Sequence, residues 1–228
     1  MQEPNASAPL PDPFAVKTPT GEAPRTLAEP DDFAHRARFN GNQFLVRRKI
    51  LKLIGADFYV DDANGRQILF AHQKGFKLKE DIRLFTGEDK QTEILRIGAR
   101  NILDVSATYD VWDSSGNQKL GAFRRRGFKS MIQDEWTILD NDDREIGTLK
   151  EDSLALALVR RFIDFAKFFL PQSYTLSLSE HEVGEFKQTR NPLVMKIQCD
   201  FSQDAGRAFD RRLGIAAAVL LCAIEGRQ

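Results

Sequence analysis

The chain has 228 residues, 42% of them apolar and 29% charged, with 33 basic and 33 acidic side chains. The length suits one domain with a tail, and the composition suits an ordinary folded protein. Balanced charge excludes a general nucleic-acid binder, which carries a basic excess.

Residues 1–41 hold seven of the nine prolines and no apolar periodicity. They predict a disordered or extended arm, with the folded domain over 42–228. The first residues lack the basic and apolar regions of a signal peptide.

The first strand is predicted in "QFLVRRKILKL", from Gln43. A hairpin pattern then repeats: an aromatic residue, Asp four positions later, a polar turn, then Ile or Leu. Its copies start at Phe58 (Asp62), Phe85 (Asp89), Tyr109 (Asp113) and Trp136 (Asp140), about 24–27 residues apart, with a looser fifth at Tyr174. Asn64-Gly65 predicts a type I′ turn, in which both residues take positive φ.

Before the fifth copy comes "SLALALVRRFIDFAKFFLP", predicting an amphipathic helix over 153–170. Ser153 caps it and Pro171 ends it. A last strand is predicted in "PLVMKIQCDF".

The chain then reaches "FDRRLGIAAAVLLCAIEGRQ", without a charge from Leu213 to Ile224. This is too short to cross a bilayer, which needs about 20 apolar residues. A helix apolar on all sides belongs inside protein. Five hairpins and two flanking strands give about twelve strands, more than an open twisted sheet of ~10 usually holds. The fold class predicted is therefore mainly β: a closed antiparallel barrel wrapped around the apolar C-terminal helix. A barrel this wide cannot be filled by its own side chains, and the helix supplies the filling. Cys199 and Cys222 lack the spacing of a disulfide framework or zinc site, and fit a reducing, cytoplasmic setting.

The stretch "GEFKQTRNPLVMKIQCDF" followed by "DRRLGIAAAVLLCAIEG", with the hairpin from Trp136 to Gly147, resembles the LURP-one-related family. That family shares a superfamily with phospholipid scramblases and the tubby C-terminal domain. The resemblance covers most of 43–226 and implies a twelve-stranded barrel around a C-terminal helix. Scramblases carry a calcium loop just before that helix. Here Asp200, Ser202 and Asp204 match its first positions, Gly206 and Ala208 do not, and Arg211 replaces the closing acid, where it would repel calcium.

No catalytic set, cofactor motif or metal set is found. The three histidines are far apart, and "DNDDREIGTLKE" reads as a hairpin turn, with Arg144 at a calcium-ligand position. The densest basic run is "RRRGFKS", with Arg124, Arg125, Arg126 and Lys129. Strand alternation sends Arg124 and Arg126 to one side and Arg125 to the other. Arg160, Arg161 and Lys167 beside the phenylalanines of 153–170 fit an interfacial helix, or one docked on a barrel or a protein partner. The expected function is a non-enzymatic binding or scaffold module, with these seven cations as candidate sites for anionic lipid or phosphate and the membrane contact peripheral. The alternatives are a scramblase-like lipid transporter and an enzyme using the barrel mouth.

Overall fold

The computed structural model describes residues 36–49, 56–73, 81–100, 107–126, 135–152, 172–190 and 194–225. The predicted helix over 153–170 lies outside them. The strands are β1 (Gln43–Lys49), β2 (Ala56–Asp62), β3 (Gln67–Gln73), β4 (Ile82–Phe85), β5 (Glu93–Ala99) and β6 (Thr108–Asp113). They continue as β7 (Gln118–Arg125), β8 (Glu135–Leu139), β9 (Glu145–Glu151), β10 (Gln172–Leu178), β11 (His181–Arg190) and β12 (Val194–Asp200). Each pairs antiparallel with its chain neighbour. β1 pairs with β12 from Gln43↔Asp200 to Lys49↔Val194, so the twelve strands close into a barrel.

The hairpin repeat has a structural cause. Phe58, Tyr109, Trp136 and Tyr174 are buried in the core, and in each hairpin the register shifts between the second and third residues after the aromatic. Such a bulge bends and twists the strand, which curls a meander towards closure. In the β4–β5 hairpin the shift lies between Leu84 and Phe85, so Ile82 takes the aromatic place. The Phe85 copy is thus three residues out of register, and Phe85 pairs with Phe70. The repeated Asp starts the turn: the Asp62 carboxylate accepts from the N–H groups of Asn64 (2.9 Å) and Arg66 (3.0 Å), and Asp140 from those of Asp142 and Arg144, both 2.9 Å.

The predicted type I′ turn at Asn64-Gly65 is not formed. Only Gly65 has positive φ (75°), and Gly65 N–H donates to the Asp62 carbonyl at 2.9 Å. A turn over 62–65 thus ends in one left-handed residue, the longer hairpin form. The β8–β9 turn repeats it with Asp143 at φ 64°. Hydrogen bonds from Arg100 and Lys119 hold the Asp143 carboxyl down at about 2.

Inside the wall runs α1 (Arg211–Glu225). Every residue from Leu213 to Ile224 except Gly214 is among the core apolar residues, none more than 7% exposed. Gly214 is where the helix meets the wall: a Cβ there would lie 2.3 Å from the Phe201 ring. Asp210 caps the start by accepting from Arg212 N–H at 2.9 Å. At the other end Arg48, buried on β1, donates to the Cys222 carbonyl at 3.2 Å. A cation thus meets the negative end of the helix although α1 has no basic residue in its last turn.

The packed structure also begins earlier than the predicted boundary at 42. Phe39 is 5% exposed within the core cluster, so 36–41 belong to the domain and not to an arm. Phe39→Ala is expected to lower unfolding free energy by about 3–5 kcal/mol, as for other buried aromatic truncations. Urea unfolding measures it; a change below about 1 kcal/mol would place this segment outside the cooperative unit. Burial of six large α1 side chains contributes on the order of 10 kcal/mol at about 1.5–3 kcal/mol each. Val219→Asp, which buries a carboxylate, is therefore expected to abolish the cooperative thermal transition. A soluble variant with a normal transition would make α1 peripheral.

Candidate anion-binding cleft

The link from β12 to α1 is organised around one buried ion pair. Arg211 donates to the Asp204 carboxylate at 2.6 Å, and to the carbonyls of Asp204 (3.2 Å) and Phe209 (3.0 Å). It also donates to the side-chain carbonyl of Asn42 at 3.1 Å, and its guanidinium lies 4.8 Å from the Phe201 ring centre. Both side chains of the pair are at most 4% exposed. The loop therefore gathers oxygen acceptors around a positive charge, and that charge belongs to Arg211. The sequence placed Arg211 as a residue that would repel calcium; its guanidinium occupies the middle of the loop.

Burial pushes the Asp204 carboxyl up, but hydrogen bonds from Arg211 and the N–H groups of Phe209 and Ala208 outweigh it and leave it below the ordinary carboxylate value. A depressed folded-state value means stability fully present above the unfolded carboxylate value, about 3.9, and lost as pH falls through the folded one. At neutral pH Asp204→Asn is expected to cost about 3–5 kcal/mol, since it strands a buried guanidinium. Urea unfolding across pH should show that gap narrowing as the pH drops below the ordinary carboxylate range. A gap independent of pH would show that the carboxylate charge is not what the loop uses.

Against this loop lies a cleft of about 1120 Å³ at the end of the barrel where α1 begins. Arg36 and Arg38 line it from the N-terminal segment, Arg207 and Asp210 from the loop, and Glu93 and Asp113 from the barrel rim. Its carboxylates are engaged. Glu93 pairs with Arg83 at 3.1 Å, Asp210 with Arg212 at 2.6 Å, and Asp113 also with Arg212. Arg38 and Arg207 have only carbonyl partners among the described residues. Arg38 donates to the Ile68 carbonyl at 3.4 Å, and its Nε is buried with no hydrogen-bond partner. Arg207, held at φ 52°, donates to the carbonyls of Asn40 (2.7 Å) and Phe39 (2.8 Å). Two guanidinium charges therefore line the cleft with no carboxylate partner among the described residues.

The described members of the basic run, Arg124, Arg125 and Arg126, sit in three different settings. Arg124 is exposed at the end of β7. Arg125 lies half-buried with its guanidinium 5.9 Å from the Trp136 ring centre. Arg126 is taken up by Thr137 (2.9 Å), Glu135 (3.0 Å) and Glu145 (2.6 Å). Lys129, Arg160, Arg161 and Lys167 lie outside the described residues. The run also stands away from the cleft: Gln118, at the start of β7, lines the cleft, and Arg125 ends the same strand about 23 Å further on. Among the described histidines, His72 is bonded to Asp57 at 2.6 Å and His181 is exposed at the start of a strand far around the barrel. No group of three or more His, Cys, Asp or Glu among the described residues is placed to hold a metal ion. No described helix is long and apolar enough to cross a membrane.

Sequence reasoning missed Arg38 and Arg207. One was assigned to the arm, and the other lies in a stretch dense with acids that proves to be committed elsewhere. Charge counting within 200–212 gives three acids and three arginines and no surplus; Arg207 is left over only because Asp204 and Asp210 serve Arg211 and Arg212 while Asp200 accepts from Gln43 and the Ser202 N–H.

No curated protein and no solved structure matches the chain. The family model described as LURP-one-related matches residues 67–222, from β3 into α1. With that match over more than half its length, and with the barrel and helix in place, the chain belongs to the LURP-one-related family.

Proposed function

We propose that this domain is a non-enzymatic binding module whose ligand carries an anionic, phosphate-type group, supplied by phospholipid headgroups at a cytoplasmic membrane surface. The observation that carries the reading is the unmatched charge of Arg38 and Arg207 in one cleft. Guanidinium groups suit phosphate because their planar donors match its oxygens. The family match and the β-barrel fit a binding role. Arg124 is an auxiliary contact in this reading, and a membrane or protein partner for residues 153–170 remains a separate proposal. A scramblase-like activity has less support, because Arg211 occupies the loop that calcium would need.

Cosedimentation of the full chain with phosphatidylcholine vesicles, with and without phosphatidic acid, tests the reading. Binding is expected only to the anionic vesicles and should weaken with added salt. Arg38→Glu should reduce it at least about tenfold, since a charge-assisted hydrogen bond contributes about 1.5–3 kcal/mol. Arg126→Glu, at a cation already paired twice, should change it little. Equal binding by R38E and wild type would sink the cleft as the ligand site. Titration with inorganic pyrophosphate separates a soluble anion from a lipid: uptake of pyrophosphate without vesicle binding would make the ligand soluble.

A further inference from the structure

We infer that the cleft selects one kind of phosphate: a monoester, joined to its carrier by a single ester bond and with no ammonium group beside it. The inference rests on the cleft being the ligand site, and adds which ligand fits. The first observation is charge. The lining arginines Arg36, Arg38, Arg207, Arg211 and Arg212, with Arg83 behind Glu93, carry six positive charges. The lining carboxylates Glu93, Asp113 and Asp210, with Asp204 behind Arg211, carry four negative ones. Among these residues two positive charges are in excess. A phosphate monoester carries about −1.5 to −2 near pH 7, whereas a diester carries a single negative charge.

The second observation is the supply of donors. A guanidinium has five N–H donors. Arg38 uses one on the Ile68 carbonyl, and its buried Nε has no hydrogen-bond partner. Arg207 uses two, on the Phe39 and Asn40 carbonyls. Those carbonyls belong to the two residues directly after Arg38, so both arginines are anchored on one short segment. A carbonyl orients a guanidinium without cancelling its charge. The donors left over suit a group with three terminal oxygens, which a monoester has and a diester lacks. The third observation is the state of the acids. Glu93 is held by Arg83 and the Ser114 hydroxyl. Asp113 is buried against Arg212, and Asp210 accepts from the same guanidinium and from the Arg212 N–H. An ammonium entering here meets acids already bonded to arginines, and two further arginines that repel it. Headgroups of the ethanolamine or serine type are therefore disfavoured twice, by their diester and by their ammonium. Phosphatidic acid and soluble monoesters share the favoured chemistry.

The test titrates the full chain with three small probes. Ethyl phosphate is a monoester, diethyl phosphate a diester, and phosphoethanolamine a monoester bearing an ammonium. Ethyl phosphate is expected to bind at least about tenfold more tightly than either of the others, the step set by one charge-assisted contact. Arg38→Glu should remove that margin. In cosedimentation, phosphatidylcholine vesicles with phosphatidic acid should retain more of the chain than vesicles with the same fraction of phosphatidylglycerol, a diester. Ethyl phosphate bound by a chain that ignores both vesicles would identify a soluble monoester as the ligand. Where the small probes bind too weakly to measure, the vesicle pair decides alone. Equal affinity for ethyl and diethyl phosphate, or equal retention by the two vesicles, would overturn the monoester selection, and the cleft would still stand if R38E weakened both. Equal affinity for ethyl phosphate and phosphoethanolamine would overturn the exclusion of an ammonium. An R38E chain that binds every probe and vesicle as wild type does instead defeats the cleft reading itself.

Discussion

The constraint on which the rest depends is the width of the barrel. Twelve strands enclose more space than their inward side chains can fill. An empty apolar interior forfeits both burial and dispersion contacts, so the wall needs a filler, and α1 is apolar around its whole circumference. The demand fixes other residues in turn. The helix must be thin where the wall is close, hence Gly214 against Phe201. Gly121 serves the same purpose from the wall, where a Cβ would lie 2.4 Å from the Leu139 carbonyl and 3.3 Å from Leu213. Both helix ends must find polar partners without water, which Asp210 and Arg48 supply.

The same enclosure creates the electrostatic problem at the helix entrance. Arg211 opens α1 and is almost wholly buried, so its charge must be met locally. The loop from β12 answers by wrapping its carbonyls and Asp204 around the guanidinium. Asp204 is committed there, Asp210 to Arg212, and Asp200 accepts from Gln43 and the Ser202 N–H. Arg207, pushed to the rim by its left-handed backbone, finds only carbonyls of the N-terminal segment. The charge left at the cleft thus reflects three loop acids each committed to another partner. Structure and site are linked by charge counting rather than by shared residues.

The barrel was legible in the sequence because its signals are local and repeated. Four aromatic positions mark the inner face two residues before a bulge, and the turn aspartates Asp62 and Asp140 accept hydrogen bonds from residues two and four places on. The β4–β5 hairpin misled because Phe85 and Asp89 copy the spacing by coincidence, while the inner position belongs to Ile82, which carries no aromatic signature. The site was not legible. Arg38 and Arg207 are brought together only by closure of the chain, and the triple arginine run draws attention while strand alternation and ion pairing disperse it. The net charge of zero hid an asymmetry between the first 35 residues and the rest, which only the position of the fold boundary makes meaningful.

Chain order gives the barrel a temporal property. The seam joins β1 to β12, and the filler follows all twelve strands. During synthesis, at about 5–20 residues per second, the hairpins emerge one by one with their apolar faces formed and nothing to cover them. Neither edge of the sheet meets its partner until β12 has left the ribosome, and the lining stays wet until α1 follows. The nascent chain is thus a long curved sheet with two open edges and a greasy inner surface, a state prone to pairing with other chains. In a domain built this way the last element to be made is also the one that covers the lining of the whole wall.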